Sequence, residues 1–125
     1  MDIVVQPGES FQQFVDEKNK AYQDINLNDC INFINFEDFE DFVLFLNSKV
    51  RLNGNIHIKC LDQVLLAKHI LNGRLDTKQT SNIIANRRCV IDRSSMVKTF
   101  KANGFAMTFT NLEYIYYVMK FRRIQ

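Results

Sequence analysis

Phenylalanine recurs every third residue through FEDFEDFVLF. Phe36, Phe39, Phe42 and Phe45 form the row, Val43 and Leu46 widen it, and Glu37, Asp38, Glu40 and Asp41 stand between. Only a helix brings residues three and four apart onto one side, so this stretch predicts an amphipathic helix with a wide apolar stripe. That stripe needs a covering layer. The acids crowd the first turns, where the helix dipole favours carboxylates, and read as a solvated helix start rather than an acid–base pair. The flanking segments have a different period. Asp29–Ile34 reads as a strand with little alternation, buried on both faces as in a parallel sheet, and Asn55–Leu61 as a second, slightly alternating strand. Strands that alternate with helices predict an α/β sheet.

The rest of the chain repeats that alternation. Ile3–Val5 reads as a short strand, followed by the turn PGES and by S-x-x-Q at Ser10 and Gln13, a capping box for a helix from Phe11 to about Tyr22. Arg51-Leu-Asn-Gly54 reads as the stop of the phenylalanine helix, with Gly54 in the left-handed position. Asp62 closes a strand just before a helix through Val64–Leu71, which Asn72-Gly73 stops. Leu75–Asn86 reads as a short helix or an irregular segment. Ser94 caps a helix through Met96–Ala102, closed by Asn103-Gly104. Phe105–Thr110 and Tyr114–Arg122 read as an antiparallel hairpin.

Composition narrows the class. With 125 residues, 46% of them hydrophobic and 24% charged, the chain is expected to fold as one ordinary globular domain, 1–125. No run reaches the ~18 apolar residues that a membrane-spanning helix needs. The Met-Asp start has neither a basic nor an apolar leader region, so no signal peptide is expected. Cys30, Cys60 and Cys89 form no CxxC pair; Cys30 and Cys60 sit in strand-like runs and read as reduced core residues. A cytoplasmic, reducing setting follows. The abundance of Asn, Ile, Lys and Phe fits an AT-rich coding sequence and a viral or low-GC bacterial source, with the host cytoplasm or a virion as the place of a phage protein. Charge is split: residues 1–50 carry ten acidic and three basic side chains, a net −7, and residues 51–125 carry four and thirteen, a net +9. The halves either attract each other within the fold or leave a basic face for an acidic or phosphate-bearing partner.

The order of these elements resembles the C-terminal half of a class I S-adenosylmethionine-dependent methyltransferase. A strand, the acidic aromatic helix and Lys49-Val-Arg51-Leu-Asn-Gly54-Asn lead into a further strand ending at Asp62. Phe100-Lys-Ala-Asn-Gly104-Phe105 then leads into the terminal hairpin, whose last, antiparallel strand is that family's hallmark. The resemblance covers residues 27–124, with 1–26 as a compressed strand–helix opening. It implies a reduced Rossmann-like sheet of about five strands ending in an antiparallel hairpin, with helices on both faces. The glycine-rich cofactor loop and the acid that closes the second strand are missing, and only 28 residues precede the fourth-strand candidate.

Functional expectations follow from match and departures together. The resemblance makes Gly8, in PGES, and Asn35, after the fourth-strand candidate, the cofactor-binding candidates; Asn35 also reads as a helix cap. His57 and His69 have no ligand spacing, and no Cys/His cluster predicts a metal. Ser94-Ser95 lack a nucleophile-elbow context. Arg87, Arg88, Arg93, Lys120, Arg122 and Arg123, interleaved with aromatics, are candidates for phosphate or nucleic-acid contact, or for a solvated edge strand. The expectation is a non-catalytic interaction or structural module, a phage component among the possibilities, with no cofactor and no catalytic residue. Its partner would be a protein or a second copy meeting an exposed sheet edge. The alternative is a methyltransferase using S-adenosylmethionine, alone or with a partner that completes the cofactor site. A small nucleic-acid binder is a further alternative.

Overall fold

The computed structural model describes Asp2 and residues 22–125. The Ile3–Val5 strand, the PGES turn with Gly8, the Ser10–Gln13 capping box and the helix from Phe11 lie outside the described residues. Tyr22, expected as the end of that helix, instead opens a strand. The elements run β1 (Tyr22–Asn28), two single 3-10 turns (Ile31–Phe33 and Phe36–Asp38), α1 (Phe39–Lys49), β2 (Val50–Leu61), α2 (Gln63–Leu71), α3 (Thr77–Ile84), α4 (Arg93–Ala102), β3 (Phe105–Glu113) and β4 (Tyr116–Arg123).

The sheet order is β1-β2-β4-β3. β1 runs parallel to β2, and β4 runs antiparallel to both β2 and β3. Four strands are present among the described residues, where about five were expected. Asp2 adds a parallel bridge to Asn26 at the outer edge of β1, and Asn26 Nδ2 donates to Asp2 Oδ1 at 2.8 Å.

Alternation gives the sheet two unlike faces. On one, the rows Ile25–Ile56–Phe121–Met107 and Leu27–Ile58–Met119–Thr110 run across the four strands. α1 and α4 cover this face through Phe42, Val43, Leu46, Met96 and Phe100, all fully buried. Phe100 stacks on Phe121 with centroids 4.2 Å apart and meets Phe105 edge-on at 5.1 Å. Burial of each such ring contributes about 1.5–3 kcal/mol relative to leaving it exposed. On the other face, a smaller cluster of Leu61, Leu66, Leu75 and Ile115, with Ile83 and Tyr116 against it, seats α2 and α3 at the carboxyl end of β2. Helices therefore lie on both faces, as the resemblance implies. No described helix is long and apolar enough to cross a membrane.

Several local expectations need correction. The strand placed at Asp29–Ile34 lies earlier, at Tyr22–Asn28. Asp29 takes a left-handed backbone, φ 54°, which ends the strand and turns the chain into a 3-10 helix. Cys30 is thus buried in a turn, not a strand. The phenylalanine stripe starts at Phe39, because Phe36 is 66% exposed on the preceding 3-10 turn. Arg51–Gly54 does not end α1, which closes at Lys49; it is an expanded bulge inside β2, where pairing jumps from Tyr22↔Val50 to Asp24↔Asn55. The left-handed residue there is Asn53, φ 65°, not Gly54. α4 is capped by Asp92 rather than Ser94, since Asp92 Oδ2 accepts the Ser95 N–H at 3.1 Å. The Ser95 hydroxyl and backbone bonds also hold the Asp92 carboxyl below its ordinary pKa. Leu75–Asn86, by contrast, holds a short helix, one of its two expected forms: α3, started by the reciprocal capping box of Asp76 and Gln79.

Gly54 is needed for space, not for its φ. A Cβ there would sit 2.8 Å from the Gln23 carbonyl oxygen and 2.8 Å from that of Arg51. Backbone on both sides cannot yield as a side chain tip can. Gly54→Ala is expected to lower stability by about 1–3 kcal/mol, the usual range for overpacking. An unchanged urea midpoint would show that β1 and β2 do not approach this closely at the bulge.

Candidate functional site

In open α/β sheets, ligands bind outside the carboxyl ends of the parallel strands. Here those ends are Asn28 of β1 and Leu61 of β2, stitched by Asp29 N–H donating to the Lys59 carbonyl at 2.9 Å. Asn32 organises the space just beyond. Its side chain is fully buried; Oδ1 accepts from the Leu61 N–H at 3.1 Å, and Nδ2 donates to the Cys89 carbonyl at 3.1 Å. Its own carbonyl accepts from Arg88 N at 2.7 Å and Cys89 N at 3.2 Å. One residue thereby ties the turn after β1, the end of β2 and the strap after α3.

Arg87 anchors the same strap. Its Nη2 reaches both carboxylate oxygens of Asp29 at 2.7 Å, Nη1 donates to the Ile83 carbonyl, and the guanidinium lies 5.1 Å from the Phe33 ring centre. The Arg87 side chain is 8% exposed and Asp29 31%, so this contact is screened less than a surface pair. Asp62, at the end of β2, is nearly buried. Its Oδ1 accepts from the N–H groups of Val64 and Leu65, and its Oδ2 lies 3.1 Å from Arg93 Nε. Both oxygens are committed, which makes Asp62 a cap rather than a base.

A second feature lies on the opposite face, over the carboxyl half of β1 and β2. Asp2, Asn26, Asn28, His57, Lys59 and Glu113 line a depression of ≈ 560 Å³. The rows Asn26–His57–Lys120 and Asn28–Lys59–Val118 form its floor. His57 Nε2 stands 3.5 Å from Asp24 Oδ1, and Lys59 Nζ lies 4.9 Å from the Tyr116 ring centre.

This topology has solved counterparts. The structure of the plantazolicin methyltransferase BamL, in complex with a triazolic desmethylPZN analog and SAH, aligns with a TM-score of 0.67 at 9% identity, over 91% of this chain and 57% of that one. A SAM-dependent methyltransferase from Archaeoglobus fulgidus aligns with 0.66 at 9% identity, over 89% and 64%. An O-methyltransferase family protein from Burkholderia thailandensis aligns with 0.64 at 13% identity, over 89% and 32%. The fold is methyltransferase-like, matching part of each of these structures. At these identities the likeness is one of fold, and the chain spans between about a third and two thirds of the length of these proteins. No protein-family model matches the sequence, and no curated protein matches it.

Within this methyltransferase-like sheet the sequence-derived candidates are scattered. Gly8 lies outside the described residues. Asn35 is exposed at the start of the second 3-10 turn, makes no side-chain cap, and accepts from Arg88 Nη1 at 3.2 Å. The six basic candidates do not form one patch. Arg87 and Arg93 are paired to Asp29 and Asp62, and Arg88 to Asn35. Arg123 donates to the carbonyls of Val50 and Gln125. Lys120 and Arg122 alone among the six share a face, with His57 and Lys59 beside them. His69 stacks edge-on against Tyr114 at 4.9 Å. Among the described residues no group of His, Cys, Asp and Glu could hold a metal. The three cysteines are free thiols. Burial pushes Cys89 up to about 11 and Cys60 higher still, so both stay protonated at neutral pH.

Asn32 and Asp29 are the site residues that sequence reasoning missed; Arg87, expected as a phosphate or nucleic-acid contact, is the partner of Asp29. A signal for Asn32 existed: a lone amide inside the apolar run CINFI. Asn32→Ala is expected to orphan the Leu61 N–H and the Cys89 carbonyl, at a cost of about 1–3 kcal/mol for each buried group. Faster hydrogen exchange at the Leu61 amide, with a lower unfolding midpoint, is the expected reading.

Proposed function

We propose that this chain forms part of an S-adenosylmethionine-dependent methyltransferase and binds the cofactor in the depression beside β1. The observation that carries the reading is the polar depression of ≈ 560 Å³ at the carboxyl half of a parallel strand pair in a methyltransferase-like sheet. Its donor set suits the cofactor's groups. The carboxylates of Asp2 and Glu113 accept from ribose hydroxyls or an ammonium group, the amides of Asn26 and Asn28 match an adenine edge, and Lys59 suits the amino-acid carboxylate. When bound, S-adenosylmethionine supplies an electrophilic methyl group on a sulfonium. The chain's part is to hold and orient it, with Gly8 and Asn35 as the further cofactor contacts that the resemblance implies. Three free thiols fit a reducing, cytoplasmic setting.

A non-catalytic interaction module is the second reading. It is favoured by the acids at the two strand ends, Asp29 and Asp62, which are already engaged by Arg87, Arg93 and a helix cap. Lys59, Lys120 and Arg122 on one face also support nucleic-acid contact, whose signature is affinity that falls steeply with salt.

Calorimetric titration with S-adenosylmethionine, paired with S-adenosylhomocysteine, separates these readings. Saturable binding is expected, weakened about tenfold by Asn28→Leu, the equivalent of one lost hydrogen bond of ~1.4 kcal/mol. Asn28 is exposed, so the fold tolerates the change. No heat up to saturating cofactor would remove the enzyme reading and leave the interaction module.

A further inference from the structure

β3 is the outermost strand of the sheet. β4 pairs with one of its edges, and among the described residues nothing pairs with the other. Natural edge strands are blunted by Lys, Pro, short length or bulges, because an open row of N–H and C=O groups is a template for another strand. β3 has nine residues, FAMTFTNLE, with no Lys, Arg or Pro and a single charge, Glu113, at its end. Its irregularity is confined to the register shift between Met107 and Phe109; from Phe109 to Glu113 the ladder with β4 is regular. Apolar exposure gathers on the same stretch, with Phe109 51%, Leu112 44% and Tyr114 58% exposed.

We propose that a second copy of this chain pairs antiparallel along β3, about a two-fold axis at Asn111, so that the two sheets continue as one. Charge selects this register. Pairing about Asn111 sets Phe109 opposite Glu113 of the second copy. Phe109 lies beside Lys120 of β4, so Lys120 and the incoming carboxylate flank one ring, and the symmetry makes the contact twice. An axis at Leu112 sets Glu113 opposite Asn111, whose neighbour in β4 is the uncharged Val118; one at Thr110 sets it opposite Met107, beside Phe121. Neither offers a cation. On the helix side, the Asn111 axis places Leu112 opposite Thr110. There Leu112 meets a groove of ≈ 510 Å³ lined in part by Val97, Lys98, Met107, Thr110 and Met119. This surface lies at the far side of the sheet from β1 and meets the proposed cofactor depression at Glu113, so Leu112→Lys and Asn111→Cys, which lie outside that depression, test it apart from the cofactor reading.

Sedimentation of the full chain with three variants tests the pairing. The wild type is expected to be a dimer. Leu112→Lys blunts the edge and Glu113→Lys replaces the carboxylate across the Phe109 ring from Lys120 with a cation, and each is expected to weaken dimerisation at least about tenfold. Both positions are exposed, and circular dichroism checks that the variants stay folded. Asn111→Cys lies on the axis and is expected to give a covalent dimer on mild oxidation, since residues directly opposite in a ladder are within disulfide reach. A monomeric wild type, a dimer indifferent to Leu112→Lys and Glu113→Lys, or an Asn111→Cys protein that stays uncrosslinked would each overturn the proposal.

Discussion

The hydrogen bonds of one buried amide, Asn32, hold together the parts that make this sheet more than a stack of strands. Parallel strands cannot be joined by a tight turn, so what bridges the ends of β1 and β2 counts alongside their ladder and the side-chain contacts along it. Asn32 supplies that bridge and extends it to the strap after α3. Arg87 and Asp29 add a charged contact beside it, under the Phe33 ring. Since Arg87 belongs to the basic second half and Asp29 to the acidic first half, part of the chain's charge asymmetry is settled inside the fold.

That arrangement separates the two faces in chemistry as well as in position. The face under α1 and α4 is a dry core of stacked aromatics and aliphatics. The opposite face keeps amides on β1 and cations on β2 and β4, and is covered by α2 and α3 at the carboxyl end. A polar depression with carboxylate, amide and ammonium groups suits a polar small molecule better than an apolar one. Meanwhile the outer strand β3 exposes Phe109 and Leu112 with little charge to discourage pairing. The sheet's two edges thus differ: β1 meets Asp2, whereas β3 faces outward.

Much of the fold was legible because period reports burial. The helix from Phe39, the strand through Ile56–Cys60, the helix after Asp62 and the final hairpin all follow from apolar spacing and from Asn-Gly stops. Errors fell where backbone geometry overrides spacing. Asp29–Ile34 is as apolar as a strand, yet a left-handed Asp29 and the 3-10 turn Ile31–Phe33 use that apolarity to plug the sheet's end. Gly54 looked like a helix stop because it follows α1 closely, but it serves the approach of β1 within a bulge. The basic residues, read in sequence as candidates for phosphate contact or a solvated edge, are dispersed over both faces and the sheet end.

The sequence by itself determined most of the element types after Phe36, the α/β class and the antiparallel close of the sheet, since these depend on local periodicity and turn chemistry. Only the tertiary structure decided which polar residues meet. Asn32 reaches Leu61 and Cys89, and Arg87 reaches Asp29, across 29 to 58 positions of chain. Such contacts depend on strand order and register, which periodicity does not encode, because every register that keeps the apolar face inward satisfies the same pattern.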